Sequence, residues 1–197
     1  MTRKAVYAQA ALAAGMVLLA FVAGFAVGRS GRPVGKSSTA RAAADEPVPL
    51  DGYVLYALTP GESLPDEGAT VMALPVGKKA DPKISARGLR PGDDDDLSET
   101  PAAEALRSLG GAVARTDSSG QFQLVVPRPG EYSLVLLSHR ANRPGGQPIA
   151  ANDRDELGRV FASPKELIGD KRYSITSRRL AGAPPAFTHE FEPTDKK

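Results

Sequence analysis

The side chains best suited to chemistry are few. The chain contains no cysteine and two histidines, His139 and His189, which excludes disulfides, thiolate catalysis and cysteine-based zinc sites. The histidines could meet in space, but they supply two ligands where a catalytic zinc ion has three from the protein. Ser138 and His139 are neighbours on a predicted strand, where successive side chains point to opposite faces, so they are poorly placed as nucleophile and base. We therefore expect no catalytic residue, no metal site and no cofactor.

Clusters of acidic residues form a second set of candidates. The run Asp93–Asp96 could coordinate Ca²⁺ through its carboxylates. It lacks the alternate spacing and the glycine of a calcium loop, and adjacent carboxylates usually stay solvated. Asp153, Asp155 and Glu156 lie near a predicted helix start, where the helix dipole stabilises negative charge. A structural role explains the acidic residues better than a ligand site does.

Two basic pairs, Lys171-Arg172 and Arg178-Arg179, lie on a strand predicted near the C-terminus and on its turn. They could capture an anionic ligand. Charges on an edge strand also prevent pairing with a second sheet, which explains these residues at least as well.

A long apolar segment begins close to the N-terminus. Val6–Val27 comprises 22 residues, of which Gln9 alone is strongly polar. As a helix it would be about 33 Å long, enough to cross a hydrocarbon core of roughly 30 Å. A secretory signal has a shorter apolar region of about 7–15 residues. We therefore predict an uncleaved transmembrane anchor over residues 1–28, which contacts membrane lipid through residues 6–27.

Residues 29–49 are rich in Gly, Pro, Ser and charge, which is typical of a flexible tether. Residues 1–45 hold six basic residues and one acidic residue, whereas residues 46–197 hold 19 and 22. The near-neutral body argues against nucleic-acid binding, which needs a basic face. By the positive-inside rule, the basic residues that follow the span favour a cytoplasmic body. The family resemblance described below favours the extracytoplasmic side, which we adopt.

From Asp51 onward the apolar pattern has a period of two, which is typical of half-buried strands. Tyr53, Leu55 and Ala57 begin this pattern, and Gly- and Pro-containing turns divide it into short segments. Both faces of Tyr132–Leu137 are apolar, as expected of a central strand. The predicted strands include 53–58, 69–76, 111–115, 122–126, 132–137, 173–175 and 187–191. The pattern predicts a mainly β fold, an antiparallel β-sandwich over residues 50–197.

Two insertions, at about 77–110 and 141–170, interrupt the sandwich pattern. The first ends in a predicted helix with Thr100 as its N-cap and Pro101 as its first residue. The second predicts one or two short helices. Its signals are Leu157, Val160 and Phe161 at helical spacing and a capping box over Ser163–Glu166.

Three ordered stretches of the body carry a family resemblance: Pro65–Val71, Thr116–Phe122 and Pro129–Leu134. They resemble the Gly-Ala-x-Val strand, the Thr-Asp-x-x-Gly-x-Phe hairpin and the Pro-Gly-x-Tyr-x-Leu strand of carboxypeptidase regulatory-like domains. The resemblance covers roughly residues 50–137 apart from the first insertion. It implies an Ig-like, transthyretin-like (prealbumin-like) sandwich that serves as an accessory module. Such modules are often attached to peptidases or to bacterial cell-surface and transport proteins, whereas this chain carries long insertions.

The span, the tether and the sandwich motifs together predict a single-pass membrane protein of the cell envelope. Its sandwich would act as a binding or scaffolding module with no catalytic activity of its own, and its partner would be an envelope protein or a glycan. Two alternatives stay open: a small metal-binding or hydrolytic enzyme with an unrecognised site, and a purely structural envelope protein.

Overall fold

The computed structural model describes residues 46–192 except 60, 94 and 146. The predicted anchor (1–28) and most of the predicted tether (29–49) lie outside the described residues. In the part of the chain that is described, every helix is too short or too polar to cross a membrane.

The described residues form two β-sheets and three short helices. One sheet, here sheet A, contains β1 (Val48–Thr59), β2 (Glu62–Pro65), β5 (Gln121–Val126) and β8 (Phe187–Phe191). The other, sheet B, has the order β4-β3-β6-β7, formed by Ala112–Arg115, Thr70–Pro75, Gly130–Asn142 and Lys171–Leu180 respectively. The helices are α1 (Pro101–Ser108), α2 (Ala151–Leu157) and α3 (Pro164–Ile168).

Alternating apolar side chains hold the two sheets together. In β1, Val48, Leu50, Gly52 and Val54 are buried, while the residues that alternate with them are exposed. Phe122 and Leu124 of β5 join them in one apolar cluster, together with inward-facing residues of sheet B. The prediction of a mainly β protein with two packed sheets is therefore confirmed. Val48 is 2% exposed, so β1 begins two residues inside the segment assigned to the tether.

Sheet B is buried on both faces. In β6, Leu134 and Leu136 face sheet A, whereas Val135 and Leu137 belong to a second apolar cluster on the outer face. This confirms the prediction that Tyr132–Leu137 is a central strand. The second cluster is completed by residues of both insertions, including Ile84, Leu89, Leu106, Leu157, Phe161 and Leu167. The insertions therefore form a third layer over sheet B.

The helix ends match the capping signals in the sequence. The Thr100 hydroxyl accepts a hydrogen bond from the backbone N–H of Ala103 at 3.2 Å, and Pro101 is the first residue of α1. The Ser163 hydroxyl accepts one from the N–H of Glu166 at 3.2 Å at the start of α3. These local signals fix where two helices begin.

Two features of sheet A differ from the predictions. The region 60–68 was expected to be a turn, but it contains β2, an exposed strand without apolar alternation. In addition, β8 pairs with β1 in parallel, from Gly52 opposite Phe187 to Tyr56 opposite Phe191. Residues 181–186 connect the end of β7 in sheet B to β8 in sheet A. β8 then runs in the same direction as β1, which makes this pairing parallel.

Gly68 sits in the turn before β3 with φ +78°, and a Cβ built on it would lie 2.9 Å from Nδ1 of His139. Gly77 has the same φ, but a Cβ there would meet nothing within 4 Å. The pair separates backbone strain from steric conflict, because both factors act at Gly68 and strain acts alone at Gly77.

We expect Gly77→Ala to lower the free energy of unfolding by about 1–2 kcal/mol, the ordinary cost of a left-handed alanine. Gly68→Ala should cost about 1 kcal/mol or more beyond that, because the imidazole of His139 must move. Chemical denaturation of both variants, followed by circular dichroism, measures the difference. An equal decrease in the free energy of unfolding of the two variants would show that the His139 side chain moves without cost and does not hold this turn in place.

Candidate functional site

A cleft of about 370 Å³ lies on the outer side of sheet B, between α2 and the end of β3. We call it the α2 cleft. Its lining comprises Leu74–Lys78, Ser133, Asn152, Asp155, Glu156, Arg159, Val160 and Ser177. The second insertion therefore supplies one wall, and the strands of sheet B supply the floor.

Backbone contacts between the two insertions hold α2 in place. The N–H of Ala80 donates to the carbonyl of Arg159 at 3.1 Å, and the N–H of Ile84 donates to that of Val160 at 3.0 Å. The ammonium of Lys83 donates to the carbonyls of Gly158 (2.8 Å) and Arg159. A cation at this position also opposes the negative end of the helix dipole. The loop after β3 is thereby fixed to the end of α2, which sets the width of the cleft.

The floor of the cleft carries two hydroxyls. Ser133 of β6 and Ser177 of β7 are register partners, so both side chains lie on the same face of sheet B. Ser133 is 2% exposed, yet its hydroxyl has no hydrogen-bond partner among the described residues. Among the described residues, the fully buried side-chain polar atoms without a partner are Thr70 Oγ1 and Arg115 Nε, so the Ser133 hydroxyl is in contact with the open cleft. Ser133 therefore directs an unused donor and acceptor into the cleft.

The walls add groups of both charges. Asp155 and Glu156 contribute carboxylates, Lys78 and Arg159 contribute cations, and Asn152 contributes an amide. In the described part of the chain, none of these five side chains forms a hydrogen bond or ion pair with another residue. The cleft is thus a concave surface with several uncommitted polar groups.

A second cleft, of about 600 Å³, lies on the other side of α2 and contains Arg143 and Tyr173. Its main polar groups are already committed. The Arg143 guanidinium donates to the carbonyls of Gln147, Gly169 and Lys171. The Tyr173 hydroxyl donates to Asp153 at 2.9 Å, and burial raises the pKa of Tyr173. These contacts fasten the second insertion to β7, so we assign this cleft a structural role.

Ser138 and His139 both contact the turn before β3. The Ser138 hydroxyl donates to the buried carboxylate of Asp66, while the His139 ring lies 2.8 Å from the Glu67 carbonyl. The carboxylate also accepts hydrogen bonds from the backbone N–H groups of His139 (3.2 Å) and Arg140 (3.0 Å). A serine, a histidine and an aspartate are therefore neighbours here, but each makes contacts that hold the backbone in place.

The two histidines belong to different sheets. His139 extends from β6, whereas His189 of β8 lies among aromatic rings, 4.5 Å from the Phe191 ring in an edge-on arrangement. Burial lowers the pKa of His189 below its ordinary value. Across the described residues, no group of three or more His, Asp or Glu side chains is arranged to hold a metal ion.

Carboxylates of the acidic run 93–96 accept hydrogen bonds from nearby groups of the first insertion. The Asp93 carboxylate accepts hydrogen bonds from the N–H of Gly88 at 2.8 Å and from the Arg90 guanidinium at 3.1 Å. Burial opposes ionisation of Asp93, but these contacts outweigh it and lower the pKa of the carboxyl. Asp96 accepts a hydrogen bond from the N–H of Ser98 at 2.8 Å. Asp94 lies outside the described residues.

Four residues of the α2 cleft are recognisable in the sequence as polar groups, although the sequence does not show that they meet. Asp155 and Glu156 were assigned to the helix dipole, whereas they line the cleft. Ser133 interrupts the apolar run of β6, and Ser177 is its register partner on β7. A serine inside a central strand is a signal for a polar group directed at something other than the apolar core. Its partner across the strands could not be identified without the register.

Comparisons with known proteins identify no family for this chain. No family model matches the chain, and no curated protein matches it. One solved structure, from Pseudomonas aeruginosa, is described as that of a candidate carbohydrate binding protein. It is 12% identical to this chain with a TM-score of 0.38, and the alignment covers 82% of this chain and 98% of that chain. Architecture and site together define the class as a mainly β two-sheet protein with a polar cleft.

We expect Asp66→Asn to lower the free energy of unfolding by about 1–3 kcal/mol, because an amide weakens three hydrogen bonds to a buried carboxylate. Asp51→Asn is the matched control, since Asp51 is exposed on β1 and the same change there should stay within about 0.5 kcal/mol. Thermal and chemical denaturation measure both. Equal stability of the two variants would contradict the role assigned to Asp66.

Proposed function

We propose that this protein is a membrane-tethered binding module of the cell envelope, without catalytic activity, that holds a glycan in the α2 cleft. The observation that carries the proposal is the set of uncommitted polar groups in that cleft, together with the Ser133 hydroxyl on its floor. These groups are placed on a rigid support of two packed strands and a helix fixed at its end.

The chemistry of these groups favours a hydroxyl-rich ligand. A sugar hydroxyl donates one hydrogen bond and accepts others, so it needs both partners close together. Asp155 and Glu156 are acceptors, Lys78 and Arg159 are donors, and the two serines and Asn152 are both. The two carboxylates balance the two cations, so the cleft has no excess charge that would demand a charged ligand.

The arrangement of the carboxylates favours binding over hydrolysis. Glycoside hydrolysis uses two carboxyl groups that flank the bond to be broken. Asp155 and Glu156 are consecutive on α2, and consecutive helical residues do not face one another. Both approach the cleft from the same wall, as residues that hold a ligand do.

The contacts of the three resembling stretches support membership of the carboxypeptidase regulatory-like domains. The Thr116 hydroxyl donates to the Asp66 carbonyl and accepts from the N–H of Ala69 at 2.9 Å, which joins the first stretch to the second. In the third, the Tyr132 hydroxyl donates to the carbonyl of Arg128 at 2.9 Å and closes the turn before β6. The motif residues shared with this family thus join the strands and turns of the sandwich through hydrogen bonds.

The membrane attachment rests on the apolar segment Val6–Val27. Its length fits a hydrocarbon core, and residues 29–45 provide a polar spacer before the body. We place the body on the extracytoplasmic side, where envelope glycans are found and where the resembling domains often occur.

The glycan proposal is tested with the full-length chain in detergent on an array of envelope and other oligosaccharides, followed by calorimetry with the best ligand. Asp155→Asn combined with Glu156→Gln should weaken binding by about tenfold or more, because hydrogen bonds to charged groups contribute about 1.5–3 kcal/mol each. Glu104→Gln on α1 is the matched control and should bind like the unmodified chain. Binding unaffected by the cleft variant would place the ligand elsewhere, and failure to bind any glycan would refute the ligand class.

The location is tested with a C-terminal tag on the chain in intact cells or spheroplasts. A protease added from outside should digest the tag without lysis, because the body is expected outside the cytoplasmic membrane. A tag that stays protected until the membrane is dissolved would show the opposite orientation, which the positive-inside rule favours.

A further inference from the structure

Strand directions bring several loops to one end of the sandwich. β1 begins at Val48, opposite Val126 at the end of β5. The turn 127–129 follows, and β6 then begins at Gly130 opposite Leu180, where β7 ends. β3 ends at Pro75, opposite Tyr132 near the start of β6. We call this the tether end, because the chain that precedes residue 46 joins the body here.

The tether end carries an excess of positive charge. Its loops and strand ends hold five basic residues: Lys78, Lys79, Arg128, Arg178 and Arg179. Its acidic residues are Glu46, Asp81 in the loop of the two lysines, and Glu131, so these residues have a net charge near +2, while residues 46–197 together hold three more acidic than basic residues. This end is therefore more positive than the body as a whole.

The surroundings of these basic residues suit a lipid surface. Lys78, Lys79, Arg128 and Arg179 are exposed. Val76, beside the two lysines, is 49% exposed and offers an apolar side chain next to the charges. The Arg178 guanidinium lies 4.8 Å from the centre of the Phe187 ring, which holds this cation in a fixed position. Cations around an exposed apolar residue are the features of a membrane-contact site.

We propose that the tether end binds the anionic headgroups of phospholipids, so that the body lies against the bilayer as a second, electrostatic attachment. This proposal rests on the proposed membrane tether, because the tether brings the body close to a bilayer. The chain that precedes residue 46 contains the apolar segment Val6–Val27 and six basic residues. Phosphate groups match guanidinium and ammonium donors in charge and geometry. Each basic residue close to an anionic surface should strengthen the contact by about fivefold.

The test uses the absence of cysteine from the chain. The full-length protein with Val125→Cys, an exposed position near the end of β5, carries a fluorescent donor. It is reconstituted into phosphatidylcholine vesicles with or without phosphatidylglycerol, each with an acceptor dye on the headgroups. We expect energy transfer to be higher with phosphatidylglycerol and to fall as salt is added, because screening over about 10 Å at 0.1 M weakens the attraction.

Two triple variants supply the comparison. Lys79→Gln, Arg128→Gln and Arg179→Gln together should abolish the dependence of energy transfer on phosphatidylglycerol. Arg87→Gln, Arg154→Gln and Lys165→Gln remove the same charge elsewhere on the body and should leave it unchanged. Circular dichroism verifies that both variants are folded. Equal energy transfer in both lipid mixtures, or equal effects of the two variants, would overturn the proposal.

Flotation of the same chain with pure phosphatidylcholine vesicles separates this inference from the proposed tether. Without flotation, the anchor proposal fails, and the two triple variants on phosphatidylglycerol vesicles then still test the basic end. Flotation with both lipids but without a lipid-dependent change in energy transfer retains the anchor and rejects the inference. Val76 and Lys78 also line the α2 cleft, so glycan binding is measured on the chain in detergent, where no bilayer competes for these residues.

Discussion

The buried carboxylate of Asp66 is the interaction on which the rest of the structure depends. It is fully inaccessible to solvent and accepts hydrogen bonds from the Ser138 hydroxyl and from two backbone N–H groups of β6. These donors lie where the pairing of β6 with β7 shifts register between Leu137 and Asn142. A buried carboxyl group without water must be satisfied by hydrogen-bond partners of this kind. Asp66 therefore joins the turn before β3 to the irregular part of β6, and Thr116 adds the β4–β5 connection to the same point.

A second constraint follows from the composition of β6. Its residues are apolar on both faces, so one packed sheet cannot bury them all. The two insertions cover the outer face with a second apolar cluster, and they are linked to each other through Lys83 and the carbonyls at the end of α2. The α2 cleft arises where this cover stops, above Ser133 and Ser177. The site thus results from how the sheet is buried, and its floor is as rigid as the core.

The sequence predicts those parts of the structure that depend on neighbouring residues. Alternation located most strands, and Thr100 and Ser163 located two helix starts, because caps act within one helical turn. β2 was missed because its exposed residues have no apolar period, and it forms through pairing with β1. The cleft was missed for a similar reason: Ser133 and Ser177 are far apart in the sequence and meet through the strand register. The resemblance to a family identified the motif residues, but those residues stabilise turns and do not line the cleft.

The parallel pairing of β1 with β8 imposes an order of assembly. The backbone edge of β1 from Gly52 to Tyr56 receives its partner from Phe187–Phe191, which is synthesised after all of the other described strands. Until then this edge is an open template that can accept a strand from another molecule. Sheet B can close earlier, because β3, β4 and β6 precede the second insertion. Pairing with β8 therefore removes the free edge of β1 from Gly52 to Tyr56 in the folded protein.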